Sequence, residues 1–70
     1  MTRWLVVIED DVEPRLEGPF RSDQSRTTVA GELRATDIEG NNGLFRLDVN
    51  AKGVPRIYPF LSHELDSELT

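Results

Sequence analysis

Residues Arg3 to Glu9 are apolar on both alternating sets, Trp4, Val6 and Ile8 on one and Leu5 and Val7 on the other. A strand apolar on both faces is predicted to sit centrally in its sheet. Pro14 and the pair Gly18-Pro19 then interrupt regular structure, so Asp10 to Pro19 reads as a connection, with a short extension of the first strand into it as the alternative. Ser22 is a good N-cap, with Asp23 in the first turn where it meets the positive end of a helix. Val29, Ala30 and Leu33 follow at helical spacing and give one narrow apolar face. A helix over about residues 22–36 is the expectation, dependent on packing because Thr27, Thr28 and Gly31 lower its propensity. Phe20, just before the cap, is placed to pack under the first turn.

"DIEGNNG" (Asp37 to Gly43) is rich in turn formers. Leu44 to Asn50 then alternates, with Phe45, Leu47 and Val49 on one face and Arg46, Asp48 and Asn50 on the other, as in a half-buried strand. "NAKG" (Asn50 to Gly53) suits a hairpin loop with glycine in the left-handed position. Val54 to Phe60 is the returning strand. Pro55 and Pro59 donate no ladder hydrogen bonds, which makes it an edge.

The order strand, helix, strand, strand predicts the α+β class, one helix packed on a three-stranded sheet over residues 1–62. Phe45, Leu47, Val49, Val29, Leu33 and part of the first strand form the expected core. Residues 63–70 are an acidic C-terminal tail, either a turn of helix or a mobile end. One helix cannot cover both faces of a sheet whose first strand is apolar on both. Some apolar surface, drawn from Trp4, Val6, Ile8, Tyr58 and Phe60, is therefore expected to stay open, and a homodimer is one way to close it.

Seventy residues make at most one domain with a thin core. There is no cysteine, so packing, oligomerisation or a partner must supply stability. The apolar run Trp4 to Ile8 is too short to span a membrane, and the protein reads as cytoplasmic. Thirteen acids against eight bases leave a net charge of −5, with Lys52 the single lysine. Direct nucleic-acid binding is not expected of such a chain, because phosphate contacts need clustered bases. A basic protein surface is the natural electrostatic partner. The acidity is local: Glu9, Asp10, Asp11, Glu13, Glu64, Asp66 and Glu68 lie in two short stretches, and without these seven the remainder carries six acids and eight bases.

"VVIEDDVEP" raises the question of chemistry. A nucleophile needs a base within reach, and the lone histidine, His63, stands beside the tail. Acid–base work by paired carboxylates needs a cleft that so short a chain rarely builds. Hard cations take clustered oxygen ligands, but "EDDVE" lacks the alternating Asp/Asn spacing and the glycine of a calcium loop. The expectation is no enzyme, no metal and no cofactor. The plainest account of the loop is a solvated segment that protects a strand end from pairing. The functional account is an acidic interaction surface. On an extended backbone alternate carboxylates stand about 6.6–6.8 Å apart, close to the phosphate spacing of one nucleic-acid strand.

"GPFRSDQSRTTVAGEL" with "GLFRL" resembles the strand-to-helix corner and a strand of SPOR peptidoglycan-binding domains over about a third of the chain. The family's second strand-helix repeat is missing, and no binding residue carries over. "WLVVIEDDVEP", "GPF" and "LFRLDV" resemble small acidic αβ proteins of phages and mobile elements, anti-CRISPR inhibitors among them. That resemblance implies a non-enzymatic inhibitor that occupies a nucleic-acid site on an effector complex. Glu9, Asp10, Asp11 and Glu13 would carry the contact, extended by Glu17, with Glu64, Asp66 and Glu68 as weaker candidates. The alternative is a structural or assembly module that dimerises through an apolar sheet face.

Overall fold

A computed structural model describes residues 1–9, 12–37 and 42–66. Its elements are β1 (Thr2–Ile8), β2 (Arg15–Phe20), α1 (Asp23–Thr36), β3 (Gly43–Val49), β4 (Pro55–Pro59) and a short α2 (Ser62–Asp66). The α+β class is as expected. The sheet is not three-stranded: four antiparallel strands run in the order β2-β1-β3-β4.

The extra strand is β2, which corrects the reading of Asp10 to Pro19 as a connection. Arg15, Leu16 and Glu17 alternate, and they pair with Val7, Val6 and Leu5 of β1. Gly18 and Pro19 do not end the strand. The register shifts between Arg3 and Leu5, and Gly18 absorbs the irregularity at φ +119°. A Cβ there would lie 3.1 Å from the Arg3 carbonyl and 3.0 Å from the Phe20 ring, so the site requires glycine.

β1 is central and β4 is an edge, both as the pattern predicts. Gly53 takes φ +80° in the β3–β4 turn, where the Asn50 side chain accepts from the Lys52 and Val54 amides. Helix α1 starts at its expected cap, the Ser22 hydroxyl accepting from the Ser25 amide at 3.1 Å.

Directly opposed residues of a sheet share a face, and neighbours along a strand do not. The pairs Leu5–Arg46, Val7–Leu44 and Arg3–Asp48 therefore lie on one face, and Trp4–Leu47 and Val6–Phe45 on the other. Helix α1 covers the first. The buried cluster is Leu5, Val7, Ala30, Leu44 and Leu65, with Phe20, Val29, Leu33 and Phe60 against it. This reverses the expected core: Val29 and Leu33 belong to it, but Phe45, Leu47 and Val49 point away from the helix. Tyr58 stands opposite Arg46 on the helix face, and Phe60 packs on the buried cluster, so neither belongs to the open face. α2 spans the expected boundary between domain and tail, and Leu65 packs it into the cluster with 6% of its surface exposed. Among the described residues no helix is long and apolar enough to cross a membrane.

Candidate functional site

The face away from α1 is built by four strands. β1 contributes Thr2, Trp4, Val6 and Ile8, and β3 contributes Phe45, Leu47 and Val49. Leu16 of β2 stands opposite Val6, and Ile57 of β4 opposite Leu47, with Pro55 and Pro59 at either end. None of these positions carries a charge. No described element lies over them. Ile57, Leu16 and Ile8 are 63%, 53% and 41% exposed, and Trp4, Val6, Phe45, Leu47 and Val49 are half-buried by one another. The continuous apolar layer of this domain is therefore on its surface.

The opposite face holds a layer of ion pairs beneath the helix. The Arg26 side chain is 1% exposed and reaches under the first turn of α1. Its guanidinium donates to Asp23 Oδ1 at 2.8 Å, Asp48 Oδ1 at 2.7 Å and the Trp4 carbonyl at 3.2 Å. Arg46 donates to Asp23 Oδ1 at 2.9 Å and pairs with both oxygens of Glu64 on α2. Its guanidinium lies 4.2 Å from the centre of the Phe60 ring. Tyr58 donates to Asp48 Oδ2 at 2.6 Å. Every buried side-chain nitrogen and oxygen among the described residues has a partner.

The titration of these groups follows from that geometry. Hydrogen bonding from Arg46 holds Asp23 below the usual carboxylate range, and does the same to Glu64 with help from the Leu61 amide. Burial raises Asp48, but donation from Tyr58 and Arg26 more than offsets it and the net shift is downward. Burial and the bond to Asp48 push the Tyr58 hydroxyl up. The three carboxylates are held toward their charged forms by the arginines and the tyrosine that donate to them, so the layer ties α1 and α2 to the sheet.

Of the expected acidic contacts, Glu9 and Glu17 meet on one arginine. Glu9 accepts from Arg15 Nη1 at 2.6 Å, and Glu17 accepts from Arg15 Nε at 2.9 Å. Glu64 is engaged by Arg46 on the helix side. Glu13 is exposed in the loop before β2. Asp10, Asp11 and Glu68, and the side chain of Asp66, lie outside the described residues. Among the described residues no three His, Cys, Asp or Glu side chains cluster to hold a metal. A shallow depression of about 350 Å³ lies between Met1, Asp48, Asn50, Val54, Pro55 and Arg56. Its one carboxylate, Asp48, is already shared by Arg26 and Tyr58.

Leu16, Phe45, Leu47, Val49 and Ile57 were absent from the predicted open face. Strand alternation in residues 15–17 and 44–49 was the available signal, and the helix-facing charge on β3 concealed its sense. No family model, curated protein or solved structure matches the chain.

Proposed function

We propose that this chain is a non-enzymatic association module whose working surface is the uncovered apolar sheet face. One observation supports the reading: across four strands, every position on that face is apolar, proline, glycine or threonine. Isolated apolar side chains are ordinary on protein surfaces, but a contiguous charge-free layer of this kind is characteristic of interfaces. Antiparallel sheets commonly keep one face wet, and such faces carry polar residues. Here Arg46 and Asp48 of β3 face the helix, and Phe45, Leu47 and Val49 face out.

The competing proposal is an acidic inhibitor that docks on a basic, nucleic-acid-binding protein surface as a nucleic-acid mimic, in the manner of an anti-CRISPR. It draws on the net charge of −5 and on exposed Glu13. It has less geometric support, because Arg15 already neutralises part of the row at Glu9 and Glu17.

A tagged-bait pull-down from host lysate, with untagged chain added, separates the two. The sheet-face reading expects capture that persists at about 1 M salt, where the Debye length is about 3 Å. It also expects that capture to be lost with Ile57→Lys and kept with Glu9→Lys/Glu13→Lys. Capture that disappears in salt and with the acid variant, but survives Ile57→Lys, would reverse the order of the proposals.

A further inference from the structure

We infer that the end of the sheet where β1 begins is a docking site for an extended, acidic segment of another protein. The topology makes the site. Every neighbouring pair of strands is antiparallel, so β1 and β4 begin, and β2 and β3 end, at this one end. Bases far apart in the sequence are thereby gathered: Arg3, Arg21, Lys52 and Arg56. Residues 1–5, 20–26 and 47–57 hold five bases and two acids, a net of +3, against −5 for the whole chain and so −8 for the remainder. The sign that composition gives the molecule is reversed here.

These bases are available. The two acids at this end are already engaged: Asp48 accepts from Arg26 at 2.7 Å and from Tyr58 at 2.6 Å, and Asp23 is shared by Arg26 and Arg46. Arg21, Lys52 and Arg56 are exposed and Arg3 is half-buried. None of the four forms an ion pair among the described residues.

Two of them are held in place. Arg3, Asp48 and Arg56 are directly opposed across β1, β3 and β4, and so lie in one row on the helix face. Arg3 Nη1 donates to the Arg21 carbonyl at 3.1 Å, and the Arg56 guanidinium lies 4.6 Å from the centre of the Tyr58 ring. Two strand spacings separate the backbones of Arg3 and Arg56, about 10 Å. The depression beside this row is walled mainly by Met1, Val54 and Pro55.

That arrangement selects the occupant. An extended peptide covers about 10 Å in three residues, so one segment can bring carboxylates to both arginines and an apolar side chain to the depression. A lone phosphate is not matched, because the contacts of Arg3 and Arg56 keep each guanidinium at its own strand. Single-stranded nucleic acid gains affinity by stacking bases on free aromatic rings. Here Tyr58 already carries Arg46 and Arg56, Phe20 packs on the buried cluster, and Trp4 lies on the other face. A long polyanion would also meet the −8 of the remainder. This surface is distinct from the open sheet face, and neither depends on the other.

Fluorescence anisotropy of a labelled peptide of glutamates around one central leucine, titrated with the full chain, tests the inference. Binding is expected at low salt, and it should weaken steeply between about 0.01 M and about 0.5 M salt as the Debye length shortens. Lys52→Glu/Arg56→Glu should weaken it at least about tenfold with an unchanged far-UV dichroism spectrum, since both side chains are exposed. Arg34→Glu, a reversal in the last turn of α1, serves as the charge control and should lose far less. A peptide with glutamine for glutamate should not bind. Tighter binding of a short oligothymidylate than of the peptide overturns the protein partner in favour of nucleic acid. Displacement of the peptide by inorganic phosphate at equal concentration overturns the extended occupant. An equal loss in Arg34→Glu, binding that survives Lys52→Glu/Arg56→Glu, or no binding below about 1 mM overturns the site.

Discussion

Arg26 shows what a buried charge costs and what it secures. Its guanidinium lies beneath the helix, where an unpaired cation would be strongly disfavoured, and it is tolerated because carboxylates and a strand carbonyl accept its protons. Truncating it leaves Asp48, itself mostly buried, with one donor fewer. We expect Arg26→Ala to lower the unfolding free energy by about 3 kcal/mol, the low end for a broken buried pair, because Asp23 stays half exposed and can hydrate. Urea denaturation followed by circular dichroism measures it. The same layer sets the acid response. Asp23, Asp48 and Glu64 all have folded-state pKa values below their unfolded ones, so the unfolded chain binds more protons as pH falls. Their stabilisation is complete above the unfolded values near pH 4 and is lost as pH drops through the folded ones. The urea midpoint should therefore hold steady from about pH 7 to 5 and fall below about pH 4. A fall centred near pH 6 would contradict the assignment.

At the scale of elements, the two edge strands differ in how they are kept. β2 depends on Gly18, whose φ of +119° strains any other residue and where a Cβ would press on the Arg3 carbonyl at 3.1 Å. Gly18→Ala should cost about 2 kcal/mol, in line with a strained backbone position, read as a lowered urea midpoint. β4 depends on Pro55 and Pro59 to silence its outer edge. Pro55→Thr/Pro59→Thr restores two N–H donors to an exposed strand, and light scattering should then rise at concentrations where wild type stays clear. Most of these elements were legible in the sequence. The Ser22 cap, the helix from 23 to 36, the left-handed Gly53 and the proline-marked edge all follow from local chemistry. β2 was hidden because Gly-Pro ordinarily ends a strand and here only bulges one. The sense of β3 was hidden for a different reason. Alternation gives two faces but does not say which the helix covers, and burying Phe45, Leu47 and Val49 is the default. Arg46 and Asp48 face the helix because Asp23, Arg26 and Glu64 meet them there. Those partners lie 18 to 23 positions away in the chain, a distance over which no periodicity reports.

For the whole molecule, the consequence is two apolar layers of unequal finish. The inner one, Leu5, Val7, Ala30, Leu44 and Leu65, is small and shares its space with ion pairs. The outer one, from Leu16 through Trp4 and Val6 to Phe45, Leu47 and Ile57, is broader, and no described element covers it. If a second copy covers it, folding and association are coupled, because the dimer removes folded chain from the unfolding equilibrium while the unfolded chain stays single. The thermal midpoint must then depend on protein concentration. For a two-state dimer unfolding to two chains, each tenfold rise in concentration adds about 1.4 kcal/mol per mole of dimer to the apparent stability, from mass action alone. In a domain of this size that corresponds to a shift of several degrees. Heating wild type followed by circular dichroism over two decades of concentration should show the midpoint climbing. The Leu16→Lys/Ile57→Lys chain should melt at one temperature throughout, lower than wild type at high concentration and converging on it at the dilute end. A wild-type midpoint indifferent to concentration would mean that the outer layer adds nothing to folding, and that the inner five residues with their ionic frame sustain the fold alone.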